Sequence, residues 1–249
     1  MLRGDFVHGE IPFCFLWSSM KVALLQHTPE PERTVALAAR LCYSPADIDE
    51  LQERLTGNHI TAFLDKIMSL GHHSVLEHAS FTFGIDGISR TTSHQLVRHR
   101  IASFSQQSQR YVSHAERFGA VIPDTIATRP DLLARFEEQL QAVHRCYCSL
   151  VEAGVPAEDA RYILPNATET KIIVTMNARE LRHFFALRCC ERAQWEIRAM
   201  ASEMLGLVKA VAPVIFKESG PGCLTGPCPE GQFCCGKTIE VRKRFTMLP

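Results

Sequence analysis

Two long amphipathic segments most constrain the fold of this chain. Apolar residues recur at helical spacing from Pro130 to Glu152 and again over residues 193–216. Between them, TETKIIVTMN (residues 168–177) is rich in β-branched residues and predicts a strand, whereas ARELRHFFALRCC (residues 178–190) predicts a helix. Helices of this length beside such strands predict an α/β (α+β) fold, with a mixed central sheet flanked by long amphipathic helices. The two stripes consist of Leu132, Leu133, Phe136, Leu140, Val143 and Leu150, and of Ile197, Met200, Met204, Leu207, Val211 and Ile215.

The first half of the chain repeats this mixture. The segment MKVALLQH, from Met20, predicts a short strand that ends at a Thr-Pro turn. Helical spacing follows over residues 31–43 and again from Ile60 to Leu70. Alternating apolar residues then predict a second strand, on which Phe81, Phe83 and Ile85 share one face.

The length and composition indicate one large domain rather than several. The chain has 249 residues, 46% of them apolar, and no Pro/Gly/Ser-rich linker, so it can bury a substantial core. We expect this domain to cover residues 20–218. Residues 1–19 form an N-terminal extension of uncertain status, and residues 219–249 form a Cys/Gly/Pro-rich tail.

The charge balance argues against two classes of protein. Lys plus Arg and Asp plus Glu both number 27, so the global positive field of a non-specific nucleic-acid or membrane-surface binder is absent. No apolar run approaches the roughly 20 residues of a membrane helix, and residues 1–19 lack the pattern of a secretory signal. We therefore expect a cytoplasmic protein without a membrane or nucleic-acid polymer as partner.

A locally basic stretch, RHRIASFSQQSQRY (residues 98–111), stands out against this neutral background. Helical residues 91–98 are predicted to lead into an irregular polar loop. A short Arg-His-Arg run is usually a solvated face, but hydroxyls and amides without a single acid follow it here. Because guanidinium groups favour phosphate and carbonyl oxygens, this composition predicts an anion site. No phosphate-binding glycine loop is present, so side chains must hold any phosphate.

Further arginines occur in two other blocks. Arg161 lies in EDARYILP, and Arg179, Arg182 and Arg188 lie on the helix predicted over residues 178–190. Arg179 and Arg182 are three residues apart and share a helix face, whereas Arg188 lies on a largely different face. This helix can therefore serve two ligands.

Histidines cluster in GHHSVLEHASF. His72, His73 and His78 lie near Glu77, but the HExxH spacing of a zinc-binding helix is absent. We favour hydrogen-bonding groups or part of a ligand pocket over metal ligands.

The tail contains four of the ten cysteines. Cys223 and Cys228 have the spacing of half a zinc site, but Cys234 and Cys235 are adjacent and poorly suited to complete it. Buried thiols are therefore favoured over zinc, and all cysteines are expected to be reduced.

Several ordered blocks resemble flavin-dependent thymidylate synthases over about Met20 to Phe216. RHRIASFSQQS has their pattern of RHR, seven residues and Ser, and the other blocks are GHHSVLEHASFTF, SHQLVRHR, SQRYV, ARYILP, NARELRHFFALR and AQWEIR. The resemblance implies a homotetramer with active sites shared between subunits and with bound FAD. It also implies reductive methylation of dUMP to dTMP, with methylene-tetrahydrofolate as carbon donor, NADPH as reductant and no cysteine nucleophile.

The resemblance also implies roles for individual residues. Arg188 and Ser108 are the implied catalytic residues, with Arg188 facing the uracil carbonyls, and His72 lines the folate and flavin side. The implied FAD contacts are Ser74, Glu77, Arg98, His99, Arg100, Ile101, Asn177, Arg179 and His183. The implied nucleotide contacts are Gln95, Gln106, Ser108, Gln109, Arg110, Arg161 and Arg188. Some relatives carry an acid at the position of Gln106 and an Asn at that of His183.

Proteins of two other functional classes would use the same residues for different purposes. A nucleic-acid-binding protein would bind backbone phosphates with the arginine-rich stretch, which the zero net charge disfavours. A zinc-stabilised interaction protein would depend on the tail cysteines. Neither class accounts for the blocks around Arg161 and Arg188.

Overall fold

The computed structural model describes residues 19–55, 57–115 and 118–246, with only the backbone for residues 57 and 58. It divides into two compact units, which we call the sheet unit (residues 20–107 and 170–246) and the insert unit (residues 108–169). The predicted extension, residues 1–19, lies outside the described residues except for Ser19. The division into a catalytic domain, 20–218, and a tail stays a prediction; the described tail residues belong to the sheet unit.

The sheet has four strands in the order β1-β2-β4-β3. They are β1 (Lys21–His27), β2 (Ser80–Ser89), β3 (Ala102–Gln106) and β4 (Glu169–Asn177). The β1–β2 and β3–β4 pairs are antiparallel. In the central pair, the N–H of Ala178 donates to the carbonyl of Ala79, and Thr82 Oγ1 lies 2.9 Å from Thr175 Oγ1. As the residue number rises along β2, the number of the facing residue on β4 falls, so β2 and β4 are antiparallel too.

The expected mixed α and β class is confirmed, but the sheet is antiparallel rather than mixed. A helix connects β2 to β3, and these two strands run in the same direction, as such a crossover predicts. However, β4 arrives much later in the chain and lies between them, antiparallel to both. The helical connection therefore joins strands that are not neighbours.

The helices in the described residues are mostly short. They are α1 (Pro31–Leu41), α2 (Ile48–Arg54), α3 (Gly57–Ser69), α4 (Arg90–Leu96), α5 (Asp124–Ala127), α6 (Pro130–Glu152), α7 (Ala157–Ala160), α8 (Ala178–Arg188), α9 (Trp195–Val211), α10 (Pro213–Phe216) and α11 (Thr238–Thr246). Single 3₁₀ turns cover His73–His78, Arg161–Ile163 and Gly231–Phe233. None of these helices is both long and apolar enough to cross a bilayer.

The predicted strands and long helices are confirmed, whereas the predicted polar loop after residue 98 is wrong. Ala102 and Phe104 are partly buried against the core, and Ser103 and Ser105 point to solvent. Alternation with a period of two residues is typical of a half-buried strand, and here the residues on the outer face are serines. The second helical stripe also breaks at Ala212, because Pro213 begins a separate turn, α10.

The sheet unit buries one face of its sheet under helices. Phe81 and Phe83 of β2 and Met200 and Met204 of α9 are all fully buried, and α9 packs against β1, β2 and α8. Phe245 of α11 belongs to the same core, so the tail contributes to it.

The insert unit has a separate, smaller core. Phe118, Ala120 and Leu140 are buried there, with Phe136 and Leu164 packed around them. Of the predicted α6 stripe, only Leu140 is fully buried, and its other members are partly exposed. The apolar surface along α6 is therefore larger than the core of the insert unit covers.

Candidate active site

The start of α4 is fixed by a buried carboxylate. Ser89 is the N-cap of α4, where its hydroxyl oxygen accepts from the N–H of Thr92 at 3.1 Å. The Glu196 carboxylate, at the start of α9, accepts from both the N–H and the hydroxyl of Ser89, each at 2.6 Å. These contacts join the β2–α4 junction to α9, and α4 in turn leads into the basic stretch.

The three residues of the Arg-His-Arg run have different environments. The chain turns after Leu96, whose carbonyl accepts from the N–H of His99 at 3.1 Å. His99 is buried, whereas Arg98 and Arg100 on either side are exposed. Neither arginine makes a hydrogen bond or ion pair with any residue in the described part of the chain. This leaves two guanidinium groups available to an anion.

His99 is held at both ring nitrogens. Its Nδ1 lies 3.2 Å from the Glu180 Oε1, and its Nε2 accepts from the Arg188 Nε–H at 3.0 Å. Burial, followed by the positive charges of Arg188 and His183, lowers the pKa of His99 to about 4. His99 is therefore neutral at physiological pH.

Arg188 is half-buried at the end of α8. Besides its bond to His99, its Nη2 donates to the carbonyl of Gln95 at 3.4 Å. No partner for its Nη1 occurs among the described residues. Burial, and then the nearby charge of Arg98, lower the pKa of Arg188. Since arginine stays charged at neutral pH, Arg98 and Arg188 are two neighbouring cations, and neither forms an ion pair with a carboxylate of the described residues.

Other predicted flavin contacts bind one another across the His73–His78 turn and α8. Arg179 Nη1 donates to the Glu77 Oε1 at 2.5 Å, with both side chains about half exposed. Asn177 is the N-cap of α8, and its side-chain oxygen accepts from the N–H of Glu180. His183 lies edge-on to His99, with ring centroids 6.1 Å apart. Ser74 and Ile101 are exposed to solvent.

A cavity of about 330 Å³ opens beside this surface. Its lining includes Arg179, Arg182, His73 and His183, and Glu218 is the one acid among the lining residues that the structure describes. Burial, and then the charge of Arg182, lower the pKa of His73. The two arginines outnumber the single carboxylate among these described lining residues, so the lining carries a net positive charge.

His72 lies at a different cavity of the sheet unit, of about 720 Å³. Tyr43 stacks on its ring, and the Tyr43 hydroxyl lies 2.9 Å from the His72 Nδ1. Arg40 and Lys66 also line this cavity.

In the insert unit, two of the predicted nucleotide residues, Arg110 and Arg161, contact Glu158. The Nε of Arg110 donates to the Glu158 carboxylate at 2.7 Å, and the Nε of Arg161 donates to the Glu158 backbone carbonyl at 3.0 Å. Ser108 Oγ accepts from the N–H of Arg110 at 3.2 Å, and Gln109 is half-buried. The expectation that no acid neutralises these arginines is thus wrong for Arg110, because its partner lies 48 residues away in sequence.

Gln106 belongs to the sheet unit, at the end of β3. Its side-chain nitrogen donates to Thr170 Oγ1 at 3.2 Å. This bond fixes the position of the amide nitrogen beside β4.

The buried Cys189 and the half-buried Cys148 show no sign of activation as nucleophiles, whereas a backbone hydrogen bond from Gly236, and then a side-chain hydrogen bond with Cys228, lower the pKa of the exposed Cys234 in the tail. Burial raises the pKa of Cys189 to about 12, and it also raises the pKa of Cys148, helped by the charge of Glu152. Cys148 does lie 3.5 Å from His144 Nε2, one helical turn away on α6, a pair that the sequence analysis missed. That nitrogen is also 2.9 Å from the carbonyl of His114, to which it donates, so it does not act as a base toward the thiol. Among the described residues, no group of three or more His, Cys, Asp or Glu is arranged to bind a metal ion.

Sequence reasoning missed three carboxylates that organise these sites: Glu158, Glu180 and Glu196. A signal existed for Glu180, since Asn177 and Glu180 have the spacing of a capping box. Glu196 lies in the AQWEIR block but resembles any acid in the first turn of a helix. Glu158 carries no local signal.

A family model and curated relatives match this chain over most of its length and agree on one family. The family model described as "Thymidylate synthase complementing protein" matches residues 23–214. The flavin-dependent thymidylate synthase of Geobacter sulfurreducens is 68% identical over 91% of this chain and 98% of that protein. The enzyme of the same name from Clostridium tetani is 50% identical over 91% of this chain and 97% of that protein.

A solved structure shares the fold. The UMP/dUMP methylase PolB from Streptomyces cacaoi, bound with 5-Br dUMP, superposes with a TM-score of 0.73 at 25% sequence identity. The match covers 82% of this chain and 96% of that one.

Proposed function

Because the chain belongs to the thymidylate synthase complementing protein family, that of the flavin-dependent thymidylate synthases, we propose that it converts dUMP to dTMP by reductive methylation. The observation that carries this proposal is the half-buried Arg188, which His99 holds beside the unpaired Arg98. A fixed cation of this kind suits a substrate that gathers negative charge during the reaction.

The residues around the basic stretch fit FAD. Arg98 and Arg100 offer unpaired guanidinium groups to its phosphates, and Arg179 and His183 line the neighbouring positive cavity. Ser74, Glu77, Asn177 and Ile101 complete the proposed flavin contacts, with His72 on the folate side. When bound, FAD supplies hydride-transfer chemistry, with NADPH as reductant and methylene-tetrahydrofolate as carbon donor.

The proposed nucleotide contacts divide by chemistry. Arg110 and Arg161, with Ser108 and Gln109, are assigned to the phosphate and ribose, for which their N–H and O–H donors are suited. Arg188 is assigned to the uracil carbonyl oxygens, which gather charge when carbon 5 of the ring becomes nucleophilic. Its planar fork offers parallel donors to such oxygens, and Gln95 and Gln106 complete the set.

We propose that no cysteine of the enzyme attacks the pyrimidine. A nucleophilic cysteine needs a lowered pKa, so the raised pKa values of Cys148 and Cys189 support this part of the proposal. Cys234, whose pKa is lowered, lies outside residues 23–214, which match the family model.

We expect a homotetramer with active sites shared between subunits. Within one chain, Leu132, Leu133 and Phe136 of α6 remain partly exposed, as do Leu25 and Ile173 on the open face of the sheet. Light scattering coupled to gel filtration should therefore give about four times the 28.0 kDa chain mass. A stable monomer would contradict sites built from several subunits.

The function is tested by steady-state dTMP formation from dUMP, with methylene-tetrahydrofolate, NADPH and FAD each omitted in turn. The proposal requires each omission to abolish turnover, where the omission of FAD is made with apoprotein from which the flavin has been removed. The absorbance spectrum of the purified protein separates it from the two other classes, since neither a nucleic-acid-binding protein nor a zinc-stabilised one carries flavin bands. A colourless protein that does not take up added FAD would overturn the proposal.

We expect Arg98→Ala to weaken FAD binding by about 10-fold or more, because it removes a charge-assisted phosphate contact. The dissociation constant is measured by quenching of flavin fluorescence during titration of apoprotein. Arg135→Ala, which removes an exposed arginine from α6, is the matched control. Equal dissociation constants for the two variants would contradict a flavin role for Arg98.

A further inference from the structure

One buried carboxylate, that of Glu180, lies beside the proposed site and contacts His99. Glu180 lies in the first turn of α8, is only 7% exposed, and faces the ring of His99, which is 5% exposed. Burying a carboxylate costs free energy unless it is paired or hydrogen-bonded. The location of Glu180 therefore calls for a partner that compensates this cost.

The first-turn position alone does not explain the direction of this side chain. Glu180 is the third residue after the N-cap Asn177, where a capping-box glutamate turns back to the N-cap N–H. Instead its Oε1 points to the His99 Nδ1, while its own N–H is capped by Asn177.

His99 lies along one face of α8. Glu180, Phe184 and Arg188 follow one another at four-residue intervals on that face. The ring of His99 meets Phe184 edge-on, with centroids 4.9 Å apart, and its two nitrogens meet Glu180 and Arg188. The imidazole is thus fixed at its edge and at both polar atoms.

The hydrogen bonds fix the tautomer of His99. Arginine only donates, so the Nε2 that receives the Arg188 Nε–H has a lone pair and no proton. The proton of the neutral ring is then on Nδ1, which donates it to Glu180. The three residues form a directional chain from Arg188 through His99 to Glu180.

We propose that Glu180 is a positioning residue, which holds His99 in the Nδ1–H tautomer and thereby orients the guanidinium of Arg188 toward the substrate. This inference rests on the proposed function, in which Arg188 meets the uracil. Without an acceptor at residue 180, the Nε2–H tautomer becomes competitive. In that tautomer the Nε2–H of His99 would face the Nε–H of Arg188. Two donors cannot form a hydrogen bond, so the guanidinium of Arg188 would turn away.

The tautomer is measured first, on the wild-type protein. In ¹⁵N magic-angle-spinning spectra of histidine-labelled protein, the His99 signals are assigned by their loss in His99→Gln. We expect a protonated Nδ1 and an unprotonated Nε2 at neutral pH. A protonated Nε2 would overturn the proposal. This measurement needs no turnover, so its outcome is separate from that of the proposed function, which fails if the wild-type protein forms no dTMP.

Two substitutions then test the consequence. Glu180→Leu keeps the bulk but removes the acceptor, and we expect kcat to fall about 10- to 100-fold, with little change in the KM for dUMP. Glu180→Gln keeps an oxygen that accepts from Nδ1–H, and it should retain most of kcat and of the wild-type ¹⁵N pattern. Glu203→Gln, an exposed acid on α9, is the control for loss of charge.

The pair of variants separates positioning from a purely electrostatic role. If Glu180→Gln loses as much kcat as Glu180→Leu, the charge and not the acceptor matters, and the proposal is wrong. It is equally wrong if Glu180→Leu folds and matches the kcat of Glu203→Gln. If Glu180→Leu does not fold, the wild-type tautomer and the activity of Glu180→Gln still decide the question.

Discussion

Arg188→Ala is expected to lower the kcat for dTMP formation by about 100-fold or more, with a much smaller change in the KM for dUMP. The reason is that charge on the uracil oxygens grows during the reaction. A cation that is already fixed by His99 and the Gln95 carbonyl stabilises the transition state more than the ground state. The measurement is steady-state turnover over a dUMP titration with saturating NADPH and folate.

Arg110→Ala is the matched comparison within the same experiment. Phosphate charge is the same in ground and transition states, so this variant should chiefly raise the KM for dUMP. The effect is moderated because Arg110 already pairs with Glu158 at the protein surface. If both variants show the same pattern, the assignment of Arg188 to the transition state is wrong.

Arg188→Lys tests whether a positive charge alone is sufficient at this position. A lysine keeps the positive charge, but it cannot donate to the His99 Nε2 and to two carbonyl oxygens with the fixed geometry of a guanidinium. We therefore expect partial recovery at best relative to Arg188→Ala. Full recovery would show that charge alone, without the fixed fork, is sufficient.

The sequence predicts those parts of the fold that depend on local periodicity. Strands β1, β2 and β4 and helices α1, α6 and α8 follow from the spacing of their apolar residues. Strand β3 was missed because its outward residues are serines, so the alternation resembles a polar loop. The antiparallel position of β4 between β2 and β3 was missed as well, since strand order depends on contacts distant in sequence.

The same limit applies to the candidate site. Residue types showed that the Arg-His-Arg run suits an anion, but they did not show that His99 points inward while Arg98 and Arg100 point outward. Nor did they identify the carboxylates of Glu158 and Glu180, which lie 48 and 81 residues from their partners Arg110 and His99. Charge counted along a short window therefore overestimates how much positive charge is left uncompensated.

Glu196→Ala is expected to lower the free energy of unfolding by about 3 kcal/mol, the largest effect on stability that we predict outside the apolar core. The substitution removes both acceptors of Ser89 and leaves its buried N–H without a partner. Because Ser89 caps α4, the loss also loosens the turn that carries Arg98 and His99, so the affinity for FAD should fall in parallel.

Equilibrium urea unfolding at a fixed protein concentration measures this effect. Glu203→Ala, on the exposed side of the same helix, is the matched control and should stay within about 0.5 kcal/mol of the wild-type protein. The free energy of unfolding of Glu196→Gln should lie between those of Glu196→Ala and Glu203→Ala, because its amide oxygen still accepts one of the two hydrogen bonds from Ser89. An equal midpoint for Glu196→Ala and Glu203→Ala would show that Ser89 finds other partners, and the β2–α4 junction would then be held by apolar packing alone.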